Sequence, residues 1–515
     1  MTESSSGIVS SCPKLWEQER TFHDLLYDWM QRAPWLAISV AAHVLVYFVL
    51  SAVPWLEFAE DPARTFLAEV VAPPAEVFQE PKEEPLDEVV DDEIDEPVLV
   101  DSSVAETPDS EPLELADGDP RWPTETPLAP EAFQNVLGIG PGAGGKLGNR
   151  GVGSGRKPYG RGTEKALRAA LAWLANHQHA NGSWDADGFQ SRCGELGNTI
   201  CGGPGNATHD VGVTGLALLA FLGDGHTTSE GRYQENVRRG VAWLRRQQDP
   251  DSGLFGEDTS HDFLYDHAIA TLAICESYTF GRSPLLHGVA QKAVHFIQRA
   301  RNPYGAWRYD VPPTGDNDTS ITGWMLFALT AAKDAGLVVD PEALTGGLAW
   351  IDEVTDPVTG RVGYDAPGTL SSRTPANEGF ARDEGEAMTA VGLLCRIFLG
   401  QDRGTVVGGE RIVEKHVELL QTCLPVWDEE GRGCDMYYWY YGSYAMFQVG
   451  GDAWRRWEAA MREAIVKSQR QSGDERGSWD PVGPWGYSGG RMYSTALMTL
   501  CMEVTYRYGR VLGAR

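Results

Sequence analysis

Residues 163–515 repeat one structural sentence: an amphipathic helix, a turn carrying glycine and an aromatic residue, a loop, and a second, more apolar helix. AALAWLANHQHANGSW (169–184) can be laid on GVAWLRRQQDPDSGLF (240–255), on KAVHFIQRARNPYGAW (292–307) and on GGLAWIDEVTDPVTGRVGY (346–364). Weaker copies start near His416 and Glu463. Anchors at Trp173, Trp243, Phe296, Trp350, Leu419 and Ile465 are separated by 70, 53, 54, 69 and 46 residues, so the turn rather than a fixed period defines the unit. The first helices have an apolar stripe opposite charged residues. The second helices, such as VGVTGLALLAFLG (211–223), are apolar nearly all round. A striped helix belongs to an outer layer and an all-apolar one to an inner layer. Six such pairs predict an all-α fold, an α/α toroid of about six helical hairpins, and no alternating pattern competes for strands.

The turns are the most specific part. Gln178 precedes Gly182 and Trp184, Gln298 precedes Gly305 and Trp307, and Gln469 precedes Gly477 and Trp479. A glutamine amide can bond to loop carbonyls while the indole packs on the next hairpin. This pattern resembles the QW motif of squalene–hopene cyclases, oxidosqualene cyclases and protein prenyltransferase β subunits. The resemblance spans about residues 163–510. It implies a toroid whose inner helices bring their N-terminal ends to one mouth, and an isoprenoid or other apolar ligand.

Each inner helix is led by polar residues: His209 and Asp210, Asp266 and His267, Asp316 and Asp318, Glu384 and Glu386, Tyr440 and Tyr441, Arg491 and Tyr493. Acids cap helix N-termini for their own reasons, but histidines, tyrosines and an arginine at the same position go beyond capping. A polar ring over an apolar interior is the form of a ligand site. His209, Asp210, Asp266, His267, Trp324, Glu384, Glu386, Tyr441, Arg491 and Tyr493 are therefore the ligand-binding candidates. Trp307, Tyr309, Trp324, Trp439 and Tyr444 are candidates to line the interior.

The resemblance also implies a place for chemistry. Class II cyclases protonate an alkene with an aspartic acid of an Asp-x-Asp-Asp-Thr motif. Asp316 and Asp318 in GDNDTS are the catalytic candidates here. Aligning Asp318–Thr319 with the motif puts Asn317 at the proton donor, and an amide cannot donate that proton. A zinc site of prenyltransferase type would need Asp, Cys and His together. His209, Asp210, Asp266 and His267 lack a cysteine, so no metal is assigned to the rim and no cofactor is expected. CGEL (193–196) is similar to the thioester motif of complement-type proteins, but Leu196 replaces the required glutamine.

The first third of the chain is of another kind. Residues 1–33 form a tail with an amphipathic helix at about 14–31. Residues 34–55 predict a transmembrane helix, with 19 uncharged residues (35–53) between Trp-flanked prolines. Lys14, Arg20 and Arg32 before the span set the N-terminus inside the inner membrane and the toroid in the periplasm. Ser39 and His43 within SVAAH give the segment a resemblance to TonB-type anchors, which implies coupling to an ExbB/ExbD-like motor. The chain lacks Lys-Pro repeats and a TonB C-terminal domain. Residues 56–137 read as a disordered acidic linker: between Glu57 and Asp119 there are 22 acidic and two basic residues, which accounts for −20 of the net −30. This charge excludes nucleic acid as a partner. Residues 138–162 read as a glycine-rich hinge, without the Lys-Ser/Thr ending of a phosphate loop. Cys193 with Cys201 and Cys423 with Cys434 are close enough in sequence for disulfides in an exported domain.

Two functions follow as expectations. One is a membrane-anchored ligand-binding or envelope-coupling module without intact cyclase chemistry. The other is an enzyme acting on an isoprenoid, as a terpene cyclase or prenyltransferase does.

Overall fold

The computed structural model describes residues 160–194, 200–281, 283–303, 305–428 and 430–507, with Val44 and Leu512. The tail helix predicted at 14–31, the predicted membrane span apart from Val44, the predicted acidic linker and hinge before residue 160, and Ser39 and His43 lie outside these residues. Among the described residues no helix is long and apolar enough to cross a membrane.

Twelve α-helices dominate the described chain: α1 (Gly160–Asn176), α2 (Asp210–Gly223), α3 (Gln234–Gln247), α4 (Phe263–Gly281), α5 (Pro284–Arg299), α6 (Thr319–Asp334), α7 (Pro341–Glu353), α8 (Ala387–Phe398), α9 (Ile412–Thr422), α10 (Met436–Val449), α11 (Gly451–Ser468) and α12 (Gly486–Arg507). One two-stranded antiparallel ribbon joins them, with Val406 opposite Arg411 and Val407 opposite Glu410.

The even-numbered helices form a closed ring: α2 packs on α4, α4 on α6, α6 on α8, α8 on α10, α10 on α12, and α12 on α2. The odd-numbered helices stand outside. Each backs mainly the inner helix of the preceding hairpin: α3 on α2, α5 on α4, α7 on α6, α9 on α8, α11 on α10, and α1 on α12. The two layers follow from composition. In α3 only Val237, Gly240, Val241, Trp243 and Leu244 are buried, which is one face of the helix, and Glu235 at its start and Arg245 and Arg246 at its end complement the dipole. In α2 every residue from Val211 to Gly223 is buried. A helix with no polar face is stable only where other helices surround it.

The turns lock each hairpin to the next. Gln178 Nε2 donates to the carbonyls of Gly182 and, in the following outer helix, Asn236, both at 2.9 Å. Gln469 does the same with Gly477 and Ala166, the second lying in α1. Gln248 repeats the arrangement with Gly253 and Val289, although its turn carries Phe255 where others have tryptophan. Gln298 differs: its Oε1 accepts from the amide of Asp340 at 3.1 Å, just before α7. The indoles of Trp184, Trp307 and Trp479 are fully buried and donate to the carbonyls of Leu174, Ile297 and Ile465.

The sequence places the fifth inner helix at 444–451, led by Tyr440 and Tyr441, but α10 begins at Met436, capped by Asp435, whose side chain accepts from the amide of Tyr438 at 3.1 Å. Tyr440 and Tyr441 therefore lie a turn inside the ring rather than on its rim. The sixth inner helix is kinked at Gly490, so that Arg491 begins its inner part. The described cysteines, Cys193, Cys201, Cys423 and Cys434 among them, are free thiols.

Candidate site at the mouth of the ring

The N-terminal ends of the inner helices do meet. His209, ahead of α2, reaches Asp266 in the first turn of α4, with Nδ1 3.2 Å from Oδ2. Tyr265 of α4 bonds to the Ser320 hydroxyl in α6. Tyr437 of α10 donates to the Ser320 carbonyl at 3.2 Å.

Asp318 is the centre of this mouth and is fully buried. It caps α6: Oδ1 accepts from the amide of Ile321 at 3.0 Å and from the Ser320 hydroxyl at 2.7 Å. Oδ2 accepts from the Tyr364 hydroxyl at 2.9 Å. Tyr364 is 2.7 Å from the hydroxyl of Tyr309, which lies 3.4 Å from that of Tyr265. Burial, with the Asp318 charge beside them, holds Tyr309 and Tyr364 well above the usual phenol range, so they act as donors. Both Asp318 oxygens are occupied as acceptors. Alkene protonation requires an O–H directed at the substrate, whereas both Asp318 oxygens face donors of the protein itself. Asp316 points the other way: its side chain is 76% exposed, 3.8 Å from Arg308. Asn317 Oδ1 accepts from Asn302 at 2.8 Å.

The remaining candidates divide by environment. His267 is fully buried and frames a turn rather than a ligand. In four hairpins a threonine of the inner helix accepts from the turn amide: Thr214 from Trp184, Thr322 from Trp307, Thr389 from Val362, and Thr495 from Trp479. In the α4 hairpin His267 Nδ1 accepts from the amide of Phe255 at 3.0 Å, and Nε2 faces the carbonyl of Ala293 at 3.2 Å. This pairing fixes the tautomer, and burial pushes the imidazole down to about 3. Glu386 is buried in a two-pronged pair with Arg361, at 2.6 and 3.0 Å, and accepts from Thr389. Arg491 is a clamp: Nε donates to the carbonyl of Gly202 at 2.7 Å, Nη1 to Ser478 and Nη2 to Asp480. Glu384 is exposed and borders a shallow hollow, with room for about one water molecule, that also touches Arg373, Arg382 and Arg432. Tyr493 is half-buried. Asp210 accepts from the amide of Ala186 at 2.8 Å, and burial raises its carboxyl to about 7. His209 and Asp210 thus belong to the mouth, whereas His267, Glu386 and Arg491 belong to the frame.

Below the mouth the ring is filled. Trp324 of α6 stacks on Tyr440 of α10, with centroids 5.4 Å apart and planes at 15°, and meets Tyr441 edge-on at 5.4 Å. These contacts cross the ring. The hollow beside them, lined by Gly323, Phe327, Leu394, Phe398 and Tyr441, has no room for a whole water molecule. At the far end, Arg507 of α12 pairs with Glu276 of α4 at 2.8 Å and with Glu503 at 3.2 Å, all three buried.

Tyr265, Tyr364, Tyr437 and Ser320 escape a sequence reading that looks only at residues leading the inner helices. Their signal was available: Tyr265 adjoins Asp266, Ser320 lies two residues after Asp318, Tyr437 lies three before Tyr440, and Tyr364 ends the fourth turn copy.

The closed ring of hairpins, tied by glutamine and indole turns, defines an all-α protein of the α/α-toroid class. Residues 161–361 match the family model described as the squalene–hopene cyclase C-terminal domain. The chain is 25% identical over 206 residues to a squalene–hopene cyclase of Zymomonas mobilis, covering 38% of this chain and 29% of that protein. It is 25% identical over 203 residues to one of Bradyrhizobium diazoefficiens, covering 37% and 29%. The matched region thus spans less than a third of the curated relatives' length. Solved structures to which the chain is similar include a type II terpene cyclase of Scytonema (15% identity, 66% of this chain and 96% of that chain, TM-score 0.42). Another is an α-1,6-mannanase of a Salegentibacter species (13% identity, 66% and 98%, TM-score 0.44). The sequence matches make residues 161–361 similar to the squalene–hopene cyclase superfamily.

Proposed function

We propose that the helical ring is a non-cyclising coupling module, held in the periplasm by the TonB-like anchor and the acidic spacer, and built to dock rather than to convert a substrate. The observation that carries this reading is the occupation of Asp318. The one buried acid at the cyclase position spends both oxygens on Ile321, Ser320 and Tyr364. Asn317 next to it cannot donate a proton, and the Trp324–Tyr440 stack crosses the ring interior.

The anchor supplies the coupling half of the proposal. A histidine within a membrane span is costly unless it faces protein, and His43 with Ser39 offers such a contact to an ExbB/ExbD-like motor. Capture of motor subunits by the full chain, and its loss in His43→Ala, is the expected result. Equal capture by both proteins removes motor coupling from the reading.

The sequence match to a cyclase domain favours the competing reading, an enzyme acting on an isoprenoid. Full-length protein in detergent, incubated with squalene and with prenyl diphosphates, is expected to give no product. Turnover abolished by Asp318→Asn would replace the coupling module with an enzyme.

A further inference from the structure

Three side chains outside the mouth converge at the junction of the first and last hairpins. His177 directly follows α1, and Cys193 and Cys201 flank the loop that leads to α2. Their ligand atoms all lie within 4.8 Å of one another. His177 Nε2 is 3.4 Å from Cys201 Sγ and 3.7 Å from Cys193 Sγ. We propose that His177 Nε2, Cys193 Sγ and Cys201 Sγ bind a divalent cation of zinc type, with a small exogenous ligand in the fourth position.

The distances fit tetrahedral coordination. With Zn–S near ~2.3 Å and Zn–N near ~2.0 Å, a nitrogen and a sulfur on one ion stand about 3.5 Å apart. The histidine is already oriented. Its Nδ1 lies 2.8 Å from the carbonyl of Trp173, which takes the ring proton there and leaves Nε2 as the electron-pair donor. The imidazole is stacked on Trp173 at 4.2 Å, fixing its plane. The backbone amide of Cys201 donates to Cys193 Sγ at 3.3 Å, an outer bond that supports a metal-bound thiolate. His177 and Cys201 are buried and Cys193 is half-buried, so solvent reaches the cluster from the Cys193 side.

Charge and hydrogen bonding argue the same way. Two thiolates and a divalent cation sum to zero, which a buried site tolerates. A Cys193–Cys201 disulfide would leave the Nε2 lone pair buried without a strong partner. A soft cation satisfies all three donors at once.

The place gives the ion a task. Gly202, next to Cys201, accepts from Arg491 and donates to Glu475 in the last hairpin. Trp173 Nε1 donates to the carbonyl of Asp474 at 2.9 Å. An ion here fastens the end of α1 to Cys193 and Cys201 at the seam where the ring closes.

The test is metal analysis of the full-length chain, purified in detergent without chelator. The expected result is one equivalent of zinc. Exchange for cobalt should give thiolate-to-cobalt charge transfer and tetrahedral d–d bands. Cys193→Ser should lower zinc affinity at least about tenfold, with the helical circular dichroism unchanged, and Cys275→Ser should keep the metal. The cobalt spectrum of the unaltered chain decides the matter even if the variant misfolds. A metal-free chain with both thiols reactive, or a Cys193–Cys201 disulfide in an unreduced peptide map, overturns the proposal.

Discussion

The side-chain amide of Gln469 donates to the backbone carbonyl of Ala166 at 2.8 Å, joining residues 303 positions apart and closing the ring. The same nitrogen reaches the carbonyl of Gly477 at 2.9 Å. Gln469→Ala orphans two buried acceptors, so a loss of about 2–4 kcal/mol is expected in urea unfolding. Gly477→Ala should cost at least as much. Gly477 has φ +98°, and a Cβ there would stand 2.3 Å from the carbonyl oxygen of Ala169. A variant at either position that unfolds with the unaltered midpoint would show that the seam contributes nothing to stability.

Asp210 makes the mouth sensitive to pH. Burial pushes its carboxyl up to about 7, against the pull of the Ala186 amide, and Asp185, Asp187 and Asp266 add to the rise. Unfolded, it titrates near ~3.9. Between those values the folded chain holds a proton that the unfolded chain has released. The stability tied to this group is therefore full below about pH 4 and declines as pH rises toward 7. Asp210→Asn removes the charge and keeps an acceptor for the Ala186 amide. At pH 8 it should be more stable than the unaltered protein by about 1–3 kcal/mol, since partial solvation screens part of the effect. At pH 4 the two should unfold alike.

The neighbouring pair offers a spectroscopic check. Burial works against a charged His209, but the hydrogen bond and charge of Asp266 outweigh it and raise the imidazole above its ordinary value. The stabilisation is present below the ordinary histidine range and is lost as pH rises through the raised value. In Asp266→Asn, the His209 ring resonances should titrate at lower pH than in the unaltered chain. Identical titration curves would mean that the 3.2 Å contact does not form in solution.

His267 explains what the sequence could and could not disclose. Hairpins, layers and the Gln–Trp turns were legible because helical periodicity and the glycine–aromatic spacing are local. Asp318 was legible as a helix cap for the same reason. His267 stands beside Asp266 at the head of a helix and looks like a ligand. Only the register across hairpins reveals that it takes the place of Thr214, Thr322, Thr389 and Thr495. Tyr364 and Asp318 are 46 residues apart, and His177 and Cys201 are 24 apart. Turn geometry, not spacing, brings such pairs together. His267→Ala should destabilise by about 2–4 kcal/mol, because the buried amide of Phe255 loses its acceptor and the ring leaves a cavity. His267→Thr should recover part of that loss in the same unfolding experiment.

The far end of the ring gives the most demanding test of the packing. Arg507 brings a buried guanidinium against Glu276 and Glu503 and also donates to the carbonyl of Leu219, so α12, α4 and α2 share one charge. Removing one partner of a buried pair leaves the other uncompensated, which costs about 3–5 kcal/mol. Arg507→Met strands two carboxylates and should be the worst single change. Glu276→Gln retains hydrogen-bonding capacity and should cost less. The double variant Arg507→Met with Glu276→Leu leaves only Glu503 to be satisfied, and should be less destabilised than the sum of the single variants Arg507→Met and Glu276→Leu. Strict additivity in thermal or urea unfolding would mean that Arg507 and Glu276 are solvated separately, and that this end of the ring is open to water.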